Sequence, residues 1–182
     1  MIEMKVAQIG DFDQLWRFYE EVCTAMETDE YSPSWHLGIY PDREDLLEHL
    51  EREEFLLGME DGRIAGAMVL TGREDELYSQ VPWKIPFVPE KVCAVHLLAV
   101  HPDFRRKGVS RKLVEAIFEQ GRKSGKHVVH LDVVKGNLPA EKLYQNMGFR
   151  FTCEMDVFYE DTGDLTVRLY EYPLFDMQEK HV

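Results

Sequence analysis

Val100-His-Pro-Asp-Phe-Arg-Arg-Lys-Gly-Val-Ser-Arg-Lys-Leu-Val114 is the stretch on which the reading of this chain turns. An apolar, β-rich run, Val92–Val100, leads into it. Residues at helical spacing, Val109, Leu113, Val114, Ile117, Phe118 and Gly121, lead out of it. Between them Pro102 disfavours continuing the strand, and Gly108 permits a close backbone approach or a positive φ that other residues resist. Such a turn aims the free N–H groups of Arg106 to Ser110 and the positive end of a helix dipole at one place. Arg105, Arg106, Lys107, Arg111 and Lys112 surround it. That is a seat for a phosphate-bearing ligand. As an isolated string it also reads as an ordinary solvated helix start.

Outward from the turn the chain reads as a series of short elements. Leu15, Phe18, Tyr19, Val22 and Met26 share one face of a helix over 13–26, with Asp11 or Asp13 as N-cap. Asp42 opens a second helix to about Arg52, and a short strand is expected at 4–9. Phe55–Glu60 and Arg63–Thr71 flank Asp61-Gly62, a strong hairpin signal. Gly72 to Lys91 is long for a strand connection. It interleaves Pro82, Pro86 and Pro89 with Tyr78, Trp83 and Phe87, and loops of this length are often functional. His127–Val134 is nearly all apolar, as at a sheet centre, and Pro139 suits the first turn of a helix to Asn146. Phe149–Tyr159 and Leu165–Tyr172 flank a second hairpin, Asp161-Thr-Gly-Asp164. The order α-α-β-β-β-α-β-α-β-β predicts one α/β layered domain over residues 1–182. Its sheet is mixed, with a right-handed strand–helix–strand crossover in the middle.

Composition bounds the function. The chain has 182 residues, 45% of them apolar, enough for one packed core. Acidic residues exceed basic ones by 34 to 21, a net charge of −13. This argues against a nucleic-acid partner and fits a cationic acceptor, although an acidic surface also simply aids solubility. The absence of an apolar signal region and of any run as long as a membrane span predicts a soluble, cytoplasmic protein with no membrane partner. Cys23, Cys93 and Cys153 are scattered and lack metal-ligand spacing, so free thiols and no metal are expected. Two of them, in strand-like runs, are expected to be buried.

Arg105-Arg-Lys-Gly108-Val-Ser110, after Leu98-Ala-Val100-His-Pro, resembles the acetyl-CoA motif of the GCN5-related N-acetyltransferase (GNAT) superfamily. There the pattern is Arg or Gln, two residues, Gly, one residue, then Gly or Ala. Ser110 departs from it, but is small and can cap the helix or touch phosphate. Asn137-Leu-Pro-Ala140 and Leu143-Tyr-Gln-Asn-Met-Gly-Phe149 resemble the family's second cofactor motif. The resemblance implies a central, mostly antiparallel sheet with helices on both faces and a splayed central strand pair. It implies transfer of the acetyl group of acetyl-CoA to a primary amine of a small molecule or peptide, by direct attack in a ternary complex. A CoA-binding sensor or scaffold without turnover, another acyl-CoA, or an O-linked acceptor are the alternatives.

Residue by residue, the resemblance implies that backbone groups of Leu98, Ala99 and Val100 pair with the pantetheine arm. It implies that Arg105, Arg106, Lys107, Gly108, Val109, Ser110 and Arg111 hold the diphosphate, and that Asn137 contacts the cofactor or else caps a helix. Tyr144 matches the tyrosine that protonates the departing thiolate, and it also reads as an aromatic packing residue. Where the family often places a basic Glu this chain has Ala94. His96, two residues on, is the nearest substitute as base or water-holder, with a structural histidine as the alternative. His130 and Asp132 share a strand face and can form a paired network. Glu154, Asp156 and Glu160 alternate on a later strand and can bind a cationic acceptor or simply face solvent. Tyr31, Trp35, Tyr40 and Trp83 are candidates for an aromatic acceptor pocket. They serve equally as loop anchors or as part of a homodimer interface.

Overall fold

The structure, a computed structural model, describes residues 1–33, 35–74, 76–159 and 162–175. Its strands are β1 (Glu3–Val6), β2 (Phe55–Glu60), β3 (Arg63–Thr71), β4 (Val92–Val100), β5 (Val128–Val134), β6 (Arg150–Tyr159) and β7 (Gly163–Pro173). They form one sheet in the order β1-β2-β3-β4-β5-β7-β6. Only β4 and β5 run parallel, as a strand–helix–strand crossover requires, and the other neighbours are antiparallel. The first strand stops at Val6, short of the expected 4–9, because Ile9–Asp11 coils into a 3₁₀ turn.

Helix α1 (Phe12–Met26) buries Leu15, Phe18, Tyr19 and Val22, and α2 (Arg43–Glu51) buries Leu46 and Leu50. Both cover one face of the sheet's first half, against Phe55, Leu57, Ala67 and Val69. Asp42 caps α2 by accepting from the Asp45 amide at 2.8 Å. Asp11 occupies the cap position of α1, but its carboxylate is turned to the Gln8 amide and to Lys5. The opposite face carries α3 (Val109–Lys123) and α4 (Leu138–Asn146), which close the larger core with Leu113, Ile117, Tyr144 and Phe149.

The 72–91 connection lies over the second half of the sheet, on the α1 and α2 side. Tyr78 and Val81 pack on Ala94, Val167 and Leu169. Glu171, fully buried on β7, anchors this loop by accepting from the Lys84 amide (3.1 Å) and the Ile85 amide (2.9 Å). Thr152 Oγ1 donates to the same carboxylate at 3.1 Å. Cys23 and Cys93 are the buried thiols, whereas Cys153 on β6 is only half-buried. The strand-run expectation therefore held for Cys93, while Cys23 is buried by the apolar face of a helix.

Candidate functional site

A bulge in β4 opens the site. Val69 pairs with His96 and Ala67 with Ala99, so Leu97 and Leu98 together oppose Met68. Leu97 takes a φ of +54°, and the Tyr19 hydroxyl of α1 donates to its carbonyl at 2.7 Å, holding this disfavoured conformation in place. The extra residue switches the strand's phase. Cys93 and Val95 face α3 before the bulge, and Leu98 and Val100 face it afterwards. It also ends the pairing with β5. The two strands are in register at Val92↔Val128, Cys93↔Val129 and Ala94↔His130 and then diverge. Beyond Ala94 the edge of β4 that faces β5 has no partner strand among the described residues. Buried backbone groups need partners, so the gap suits a ligand with amides of its own.

A cavity of about 620 Å³ fills the gap. Val95, His96, Leu97 and Leu98 of β4 line one wall, and Asp132, Val133 and Val134 of β5 line the other. Tyr144 and Asn137 approach from α4, and Trp35, Tyr40, Asp45, His49, Thr71, Arg73 and Glu74 form the far end. Tyr144 packs its ring edge-on to Phe149 (5.3 Å) and lines the cavity. Burial, assisted by the nearby Asp132 carboxylate, pushes this phenol above its ordinary range, which keeps it protonated. Asp132 in turn accepts from the Tyr78 hydroxyl at 2.7 Å, and the Tyr78 ring lies against His96. Acid, carboxylate and imidazole thus converge where the strands part.

Downstream of the gap β4 delivers the chain to the basic turn. His101 is tied to Glu21 and accepts from the Asp103 amide, fixing the turn's entry. Arg106 (φ +62°) and Gly108 (φ +77°) are both left-handed, an alternation that points successive N–H groups to one side. Gly108 is the cap residue of α3, and the cap makes no side-chain hydrogen bond to the helix's first amides among the described residues. The cations around this turn divide. Arg105 makes a two-pronged pair with Asp29 (2.6 and 3.0 Å), Lys107 lies over the Phe104 ring, and Lys112 donates to the Ile2 carbonyl. Arg106 and Arg111 stay exposed, with no ion pair among the described residues. An anionic group here would meet free amides, a helix terminus and two uncommitted guanidinium groups.

The other sequence candidates separate. Trp35 and Tyr40 line the cavity, but Tyr31 and Trp83 are not among its lining residues. Tyr31 is 39% exposed, and Trp83 stacks on His130 at 3.5 Å as a loop anchor. His130 is fully buried and paired with Glu74 (2.5 Å). Asn137 accepts from the Ala140 amide, the helix-cap reading, and it also lines the cavity. Glu154 pairs with Lys135, and Asp156 accepts from Thr166; neither lines the cavity, and Glu160 lies outside the described residues. Sequence reading missed Asp45, His49, Arg73 and Glu74. The i, i+4 spacing of Asp45 and His49 on α2 was a usable signal, whereas the two loop residues offered none.

Comparison with known proteins agrees with this geometry. The model of the acetyltransferase (GNAT) family matches residues 15–149. The chain belongs to this family. Among curated GNAT-type relatives, the L-amino acid N-acyltransferase MnaT of Escherichia coli is 37% identical over 60 residues, which is 33% of this chain and 35% of that protein. The ribosomal protein bS18-alanine N-acetyltransferase of Escherichia coli is 30% identical over 82 residues, 45% of this chain and 47% of the relative. The matched region therefore spans less than half the length of these relatives. Among solved structures, a putative acetyltransferase from Salmonella typhimurium with its cofactor acetyl-CoA shares the fold, with a TM-score of 0.70 at 18% identity. The match covers 97% of this chain and 95% of that one.

Proposed function

We propose that this GNAT chain, acting as a single domain, transfers the acetyl group of acetyl-CoA to a primary amine of a small molecule or peptide. The observation that carries the reading is the β4–β5 gap, bounded by the Tyr144 hydroxyl and followed by the uncapped α3 terminus. The free edge of β4, with Leu98, Ala99 and Val100, would pair with the amides of a pantetheine arm. The Arg106–Arg111 turn would hold the diphosphate, and Asn137 would flank the arm. The amine attacks the thioester carbonyl, the C–N bond forms, and the C–S bond breaks. Tyr144 gives its proton to the departing thiolate. The amine's proton leaves through His96, Asp132 or water held between them, the groups that face the gap. No cysteine lines the cavity, and burial pushes the Cys93 thiol up to about 12, so an acyl-enzyme on a thiol has no nucleophile there. A protonated Tyr144 facing the cavity favours turnover over a silent CoA-binding role. Among the described residues no helix is long and apolar enough to cross a membrane, and the cysteines are unbonded. We place the enzyme in the cytoplasm on the latter ground.

Acetyl-CoA at a hundred times its Kd should stabilise the protein by about 2.7 kcal/mol, read as a rise in Tm. Thiol release against a panel of amines should show turnover. Gly108→Glu puts a side chain on a left-handed residue and a carboxylate at the helix terminus, and should abolish the thermal shift. A chain that is not stabilised by acetyl-CoA, or that is stabilised but never releases thiol, contradicts the corresponding half of the proposal.

A further inference from the structure

The groups around the far end of the cavity differ in what they already hold. Asp132 accepts from Tyr78, Glu74 is paired with the buried His130, and His49 is paired with Glu54 (2.7 Å). Arg73 is the one arginine or lysine among the described residues lining the cavity, and it is turned to Glu48 and Glu54 at 3.5 and 3.3 Å. Asp45 stands apart. It is half-buried in the cavity wall, and its carboxylate forms no hydrogen bond or ion pair among the described residues. Trp35 and Tyr40 line the same end, their rings meeting edge to face at 6.1 Å. An uncommitted carboxylate and two aromatic faces form a seat for a cation, since ring faces attract ammonium and guanidinium groups. An acceptor bearing a free carboxylate would instead meet three carboxylates and an arginine already engaged.

We propose that the acceptor carries a second cationic group besides the amine that is acetylated, and that Asp45 with the Trp35–Tyr40 pair binds it. The substrate class is then diamines and polyamines rather than free amino acids. This rests on the N-acetyltransferase reading above. A surface of net charge −13 would also raise the local concentration of such acceptors.

The test uses matched acceptors of three to eight carbons: α,ω-diamines, n-alkylamines and ω-amino acids, followed by thiol release from acetyl-CoA. At one chain length or more, the diamine should exceed the alkylamine in kcat/KM by about tenfold, a difference of about 1.4 kcal/mol. The ω-amino acid should fall below both. In Asp45→Asn the diamine-to-alkylamine ratio should drop towards one, and being internal to one preparation this ratio is insensitive to partial misfolding. A diamine advantage that survives Asp45→Asn, an ω-amino acid that is preferred, or no diamine turnover at any length overturns the inference. Retention of the acetyl-CoA thermal shift in those cases shows that the acceptor assignment has failed while cofactor binding stands. Loss of that shift in the wild type shows that the underlying reading has failed.

Discussion

Tyr144 carries the most specific residue-level expectation. Its phenol is held protonated by burial and by the negative charge of Asp132, so it is loaded as an acid at neutral pH. Tyr144→Phe should lower kcat by about 10²-fold or more with little change in the KM for acetyl-CoA, measured by steady-state thiol release. An acid works only below its pKa, so a raised pKa moves the alkaline limb of the pH–rate profile upward. Asp132→Asn removes part of that elevation and should pull the limb to lower pH; an unmoved limb would dissociate the two groups. The candidacy of Tyr144 was legible because Leu143-Tyr144 and Gly148-Phe149 sit in a spaced motif. Its coupling to Asp132 was not, since β5 and α4 meet only in three dimensions. Leu97 shows the same limit, as nothing in Leu97-Leu98 announces a left-handed residue that becomes favourable only with the Tyr19 hydroxyl beneath it.

Two contacts between elements set the shape of the site. Gly66 on β3 lies under the first turn of α3. A Cβ there would come within 2.8 Å of Val109 Cγ1 and 3.0 Å of the Ala99 carbonyl oxygen and Leu113 Cδ1. Gly66→Ala should therefore push the start of α3 away from the sheet, costing about 1–3 kcal/mol in urea unfolding and weakening acetyl-CoA binding. The second contact is the 72–91 loop on Glu171. Glu171→Ala leaves the Lys84 and Ile85 amides and Thr152 without their acceptor, and should destabilise by about 2–4 kcal/mol. Faster hydrogen exchange at those two amides would distinguish loop release from a global effect. The helices and hairpins that hold these contacts were readable from periodicity and from Asp61-Gly62. The loop's length marked it only as a candidate for function. That Trp83 would be an anchor on His130, while Tyr78 reaches Asp132, depended on which strand face the loop covers.

At the scale of the molecule, three pairs between β4 and β5 join the two halves of the sheet. A ligand that fills the gap beyond Ala94 completes the ladder, so acetyl-CoA should slow hydrogen exchange on β4 from His96 to Val100. It should leave the paired β5–β7 ladder much less affected. Equal protection throughout the sheet would mean global stabilisation without strand-like pairing. The order of elements, the basic turn before α3 and the place of Tyr144 follow from the amino-acid sequence alone. These depend on local spacing, on backbone preferences at Gly108 and on motifs contiguous in the chain. It took packing in three dimensions to commit Arg105 to Asp29, to bring Trp35 and Tyr40 but not Tyr31 or Trp83 to the cavity, and to leave the Asp45 carboxylate facing it without a partner among the described residues. Each of those outcomes depends on which distant side chains share a surface, and that is settled by packing across the sheet rather than by neighbours in sequence.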